Sequence, residues 1–153
     1  MKIKITIPAM EVRTYNKKLK KFVTKSFIGG YVSSLREKRG SGRAEKRDAW
    51  YWHAYRHLHS FLSCNDLLPE NPHKESGWKT TVQAYHDNRV HMDSGNILKG
   101  LEDVLVWKIN GKGKGTFFFN DDKLTAGEYK EAKYCKDNPR VEVTIERKED
   151  HGA

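Results

Sequence analysis

Carboxylates stand at two places in this chain where they can do chemistry. Asp93 is followed by Ser94-Gly95-Asn96, and the pair Asp121-Asp122 comes 28 residues later. Taken singly, Asp93 reads as a helix cap and Asp121-Asp122 as a turn. Taken together, they are acids at the ends of two strands joined through a crossover helix. Such an arrangement can gather carboxylates in one cleft and hold a hard divalent cation, which prefers oxygen ligands. In a basic protein this is the electrostatic plan of a nuclease: bases hold phosphates, and a metal-activated water attacks one of them.

Other candidates carry less. His53 and His57 have metal-ligand spacing, but Ala54 stands where an H-E-x-x-H motif needs glutamate, so these histidines and His59 read as helix-surface residues. Gly111, Gly113 and Gly115 alternate with lysine without forming a phosphate-binding loop motif. Cys64 and Cys135 are far apart, with no C-x-x-C, which points to a reduced, cytoplasmic protein.

The elements that must position the acids follow from periodicity. Lys2 to Ile7 alternates polar and Ile residues, a strand with one buried face that Pro8 ends. Val12 to Gly30 is basic and has no firm assignment. Gly29-Gly30 and Gly40-Ser41-Gly42 act as breakers, so the segment between them is expected to move freely without a ligand. Trp50, Ala54, Leu58 and Leu62 predict a helix over Arg43–Ser63, widened by Tyr51, Tyr55 and Phe61. Trp78, Thr80, Val82 and Ala84 predict a strand within Trp78–Met92. Asp93–Val106 reads as a second helix through Ile97, Leu98, Leu101, Val104 and Leu105. Phe117–Phe119 reads as a short buried strand. Glu128–Tyr134 and Val141–Glu146 alternate and are expected to form a hairpin about Asp137-Asn138-Pro139. The expected fold is α+β: one domain over 1–153, with a mixed β-sheet on which helices pack.

Composition limits the partners. The 153 residues fit one domain, and 11% aromatic residues, four Trp among them, argue against wholesale disorder. No apolar run approaches the ~18 residues of a membrane span. The first residues alternate charge and apolar side chains and lack a signal-peptide core. The net charge is +9 and it is concentrated. Residues 12–47 hold twelve Lys or Arg against Glu37 and Glu45, a net of +10 on a nearly neutral body. That asymmetry calls for an anionic partner, most often nucleic acid. Lys17, Lys18, Lys20 and Lys21 can follow a phosphate backbone, and Tyr15, Phe22 or Phe27 can stack on an unpaired base. The plainer alternative for the arm is a solvated tail.

The run Asp93-Ser94-Gly95-Asn96-Ile97-Leu98-Lys99-Gly100-Leu101-Glu102-Asp103-Val104-Leu105, followed by Asn120-Asp121-Asp122, resembles the core pattern of RusA-type Holliday junction resolvases. That family shows D-x-D-N-x-x-K-x-x-x-D-x-L and, after a variable loop, a D-D pair. The resemblance covers roughly residues 79–146 well and the rest by its order of elements. It implies that Asp93, Asp121 and Asp122 hold Mg²⁺ or Mn²⁺, with Lys99 beside the scissile phosphate. Asn96 matches the motif asparagine, and Arg89, Lys112 and Lys114 lie where further DNA contacts are expected. A two-fold homodimer acting on branched DNA, the four-way junction, is implied in the same way. Small nucleases of this kind are often phage-borne, so the setting would be a bacterial or phage-infected cell.

The sequence departs from the family at Gly95, which stands at the second aspartate and offers no ligand. Asp87, six residues before Asp93, is a distant substitute. Two outcomes stay open: a metal-dependent junction endonuclease, or a branched-DNA-binding protein that kept the fold without the chemistry. A basic protein that binds RNA through its arm is a third.

Overall fold

In the computed structural model the described residues are 2–31, 43–70, 77–88, 91–105 and 126–147. Nine elements lie in them: β1 (Lys2–Pro8), β2 (Met10–Asn16), β3 (Lys21–Phe27), α1 (Arg43–Cys64), β4 (Trp78–His86), α2 (Ser94–Leu105), β5 (Ala126–Tyr129), β6 (Lys133–Tyr134) and β7 (Arg140–Arg147). The expected strand over Phe117–Phe119 falls outside the described residues.

Alternating Ile residues make β1 a strand, and Ile3, Ile5 and Ile7 all point into the core. Its neighbour β7 alternates in the same way with Val141, Val143 and Ile145, and the two pair antiparallel from Lys2↔Glu146 to Pro8↔Arg140. Beyond β7 lies β4, also antiparallel, with Val82 opposite Val143. The far edge of β4 carries β5 and then β6, both parallel to it. A parallel neighbour cannot be reached by a tight turn, so a crossover must join the two strands. Between β4 and β5 the chain carries α2.

Both helices cover one face of this mixed sheet. In α1, Trp50, Ala54, Leu58 and Leu62 recur every four residues and are fully buried. In α2, Ile97, Leu101, Val104 and Leu105 are fully buried, with Leu98 nearly so. The opposite face is polar, with Lys2, Lys4, Thr6, Lys79, Thr81, Glu128, Glu142, Thr144 and Glu146. There Lys79 Nζ meets Glu128 at 2.7 Å; this pairing raises the lysine pKa and lowers that of the glutamate.

Two stretches differ from expectation. The closing segments do not pair as a hairpin: β5 and β6 line one edge of β4, and β7 lies on its other side. The turn at Asp137-Asn138-Pro139 carries the chain past the end of β4, because β4 takes the central place between the two alternating segments. Lys130 N donates to Val82 O (2.9 Å), the Gln83 amide donates to Glu131 O, and Cys135 N donates to His86 O (2.7 Å). These bonds carry the edge across the break between β5 and β6. The unassigned basic stretch forms an antiparallel hairpin, β2–β3, apart from the main sheet. Its turn is organised by Asn16, whose Oδ1 accepts from Lys18 N (2.9 Å) and Leu19 N (3.1 Å). Lys20 completes the turn at φ +51°.

Gly29 and Gly30 are breakers in sequence, yet both are buried where the chain leaves β3. A Cβ on Gly29 would stand 2.7 Å from Trp50 Cγ of α1, and one on Gly30 only 2.6 Å from Asn96 O of α2. Tyr31 N donates to that same oxygen at 2.9 Å. Glycine is required here because the chain passes directly against helix backbone. Gly30→Ala is therefore expected to destabilise the fold by about 1–3 kcal/mol, as overpacking does, read as a lower denaturant midpoint. An unchanged midpoint would mean that 28–31 does not hold this path in solution.

Candidate active site

The N-terminus of α2 opens at the C-terminal end of β4, and Asp93 stands there as the cap. Its Oδ1 accepts from Gly95 N (2.8 Å) and Asn96 N (3.3 Å), while its backbone oxygen accepts from Asn96 N (3.1 Å) and Ile97 N (3.0 Å). Donors at a helix start carry partial positive charge, and their two bonds to one carboxylate oxygen fix its direction. The side chain is exposed, and its Oδ2 makes no hydrogen bond among the described residues. The capping and ligand readings of Asp93 are thus compatible: one oxygen orients the group and the other faces outward.

A cavity of about 380 Å³ opens beside it. Its walls are Ser26, Phe27 and Ile28 from the end of the hairpin, His86, Asp87 and Asn88 from the end of β4, then His91, Met92, Asp93 and Pro139. Asp87 therefore shares a cavity with Asp93, which spacing along the chain only hinted at. Two further features were invisible in sequence. His86, 6% exposed, stacks on His91 with centroids 3.9 Å apart and planes 6° from parallel. Its Nε2 is buried without a hydrogen-bond partner among the described residues. Burial first, then the charge of His91, hold the His86 pKa down to about 4 against an upward pull from Asp87.

The second feature is Tyr129. A Cβ on Gly95 would lie 3.0 Å from Asp93 Oδ1 and 3.3 Å from Tyr129 Cε1. The ring of Tyr129 thus covers the place where an aspartate side chain would begin. Only the alternation of Glu128–Tyr134 signalled that residue, and it said nothing of the site.

Lys99 lies six residues along α2 from Asp93, about 9 Å of helix rise. Its Nζ sits 3.7 Å from the centroid of Tyr31, a cation–π contact. Asn96 joins the site through its backbone, which receives Tyr31 N. Glu102 stands against Gly127, toward β5. Lys17, Lys18, Lys20 and Lys21 cluster at the hairpin turn, whose far end forms the cavity wall. Phe27 is half-buried against the core and does not offer a stacking face, whereas Tyr15 and Phe22 are exposed. His53 Nε2 donates to Pro8 O (2.7 Å), tying α1 to β1. Arg89, Lys112, Lys114, Asp121 and Asp122 lie outside the described residues. Among the described residues no three His, Cys, Asp or Glu side chains group as a metal site.

Asp93→Ala is expected to cost about 1 kcal/mol of stability through the lost cap, and Asp93→Asn, an equally good cap, almost nothing. Equal losses in denaturant titration would contradict the capping geometry. His86 carries a pH signature. Its folded pKa lies below the ordinary 6.5, so protons bind the unfolded chain first. Its contribution is complete above about pH 6.5 and is lost as pH falls toward 4, by up to about 3 kcal/mol. His86→Phe should flatten the stability profile in that window; an unchanged slope would show that His86 titrates normally.

No curated protein matches the chain. A family model described as endodeoxyribonuclease RusA matches residues 65–146, more than half of the chain and the whole stretch from the end of α1 through β4, α2 and most of β7. The chain belongs to the RusA endodeoxyribonuclease family.

Proposed function

We propose that this protein is a divalent-metal-dependent, structure-selective endonuclease that nicks four-way DNA junctions. The observation that carries the reading is the placement of Asp93: an oriented carboxylate at the positive end of α2, on a cavity whose wall is the base of a hairpin with a net charge of +5. The acid that would hold a cation thus stands at the root of the hairpin whose turn carries the bases for phosphates.

Asp93, with Asp121 or Asp122, would hold Mg²⁺ or Mn²⁺, a donor set of hard oxygens that suits a cation taking one or two carboxylates and keeping several waters. That cation would supply activation of water and neutralise phosphate charge. The chain's own groups do the rest. Donors at the start of α2 hold Asp93 in place by one carboxylate oxygen. Lys99, exposed and resting on Tyr31, swings from that ring to the phosphate as negative charge develops. Lys17, Lys18, Lys20 and Lys21 hold the backbone of one arm, and Arg89, Asn96, Lys112 and Lys114 add contacts nearer the cut. Residues 1–153 act as one domain, and two copies act as a symmetric homodimer, matching the two strands to be nicked. The protein works in the cytoplasm of a bacterial or phage-infected cell.

A second reading is favoured by one feature, the Tyr129 ring over Gly95. With no carboxylate there, the chain would bind branched DNA without cutting it.

Purified protein with Mg²⁺ should nick a synthetic four-way junction, and Asp93→Asn should abolish nicking while leaving junction affinity near that of the wild type. Wild-type protein that binds junctions yet cuts none under Mg²⁺ or Mn²⁺ establishes the second reading instead. Lys18→Ala should lower the slope of log affinity against log salt by about 1.

A further inference from the structure

The hairpin β2–β3 holds more than phosphate-binding charge. One of its faces turns Met10 and Phe27 toward the core. The other carries Arg13, Tyr15 and Phe22 outward. Tyr15 and Phe22 are direct cross-strand partners, with centroids 5.3 Å apart in an edge-to-face arrangement. They are 50% and 58% exposed, and Leu19 at the turn is 58% exposed. The Arg13 guanidinium lies 4.7 Å from the Phe22 centroid. An aromatic pair held open in this way needs a partner with a flat apolar face.

Charge decides which partner. Six Lys or Arg and one Glu lie within residues 10–27. Interfaces between proteins exclude lysine from their apolar centres, and two such hairpins would repel each other. A nucleobase fits instead, since it brings a π-face and a phosphate together. Intact duplex buries its base faces by stacking; a branch point exposes them.

We propose that Tyr15 and Phe22 form a platform that stacks on a base exposed at the branch point, and that this platform gives the protein its preference for branched over linear DNA. The proposal rests on the DNA-binding part of the reading above and not on catalysis. Phe22 is four strand residues from Ser26 in the cavity wall, about 13 Å. At ~3.4 Å per stacked base this places the platform about four steps from the wall of the cavity that Asp93 also lines, within reach of one junction arm.

The test uses the full chain in EDTA, with 2-aminopurine placed either at the branch of a four-way junction or within one arm. Wild-type binding should change the emission of the branch probe and leave the arm probe unaltered. The double variant Tyr15→Ala/Phe22→Ala should lose that change and lower the junction-to-duplex affinity ratio about tenfold, with duplex affinity retained. Phe22→Trp should keep both. A double variant that retains the ratio and the signal overturns the proposal. So does one that weakens duplex and junction equally, which would make the patch a general backbone contact. Asp93→Asn, run in parallel, should keep the branch signal while losing nicking in Mg²⁺. Failure of catalysis and failure of the platform are therefore read separately.

Discussion

The docking of α2 across the parallel pair β4 and β5 is the constraint on which the rest depends. A parallel pair demands a crossover, and burial of Ile97, Leu98, Leu101, Val104 and Leu105 requires that crossover to lie flat on the sheet. Once it does, the start of α2 must come to the C-terminal end of β4. Asp93 then has little freedom: it caps the helix with one oxygen while its residue lines the cavity. His86 and Asp87, the end of the same strand, become its neighbours. The acidic half of the site is thus a consequence of hydrophobic burial several residues away.

The basic half is tied to it by close approach. Gly29 and Gly30 let the chain run between Trp50 of α1 and the backbone of Asn96 in α2. That passage holds the base of the hairpin on the cavity wall, and it brings Tyr31 beneath Lys99. A hairpin of two strands is barely stable alone, and this one is anchored at its root by Met10 and Phe27 against the core. Its lysine-rich turn can therefore project without loss of register.

Elements with strong periodicity were legible in the sequence. The fourfold spacing of α1, the apolar stripe of α2 and the alternation of β1 and β4 each match the structure. Asp93 was legible as a cap, and the RusA pattern around it agrees with the family match. The hairpin β2–β3 escaped notice because one face is only partly buried, the other is exposed, and its turn, Lys17–Lys20, lacks glycine; only Asn16 marks it. The pairing of β7 was misread for a different reason. Alternation identifies a strand with one buried face but not the neighbour it meets, and a turn signal does not reveal that a third strand lies between. The cover that Tyr129 gives Gly95 left no trace, since their meeting depends on the crossover, and neither did the His86–His91 stack, which depends on the fold of the loop after β4.

Local physics, acting through side-chain period, cap chemistry and charge density, is written in the order of residues. It determined the helices, the burial of their stripes, the carboxylate at the head of α2 and the concentration of positive charge in one segment. What covers what was decided only by the packed chain. Glycines that read as breakers became contact points because two helices closed on them. The site of the absent aspartate lies beneath Tyr129 because β5 passes beside α2, and the aromatic pair of the hairpin stands open because its strands pair only with each other among the described residues. Such outcomes depend on contacts between distant segments, and burying one common core selects those contacts.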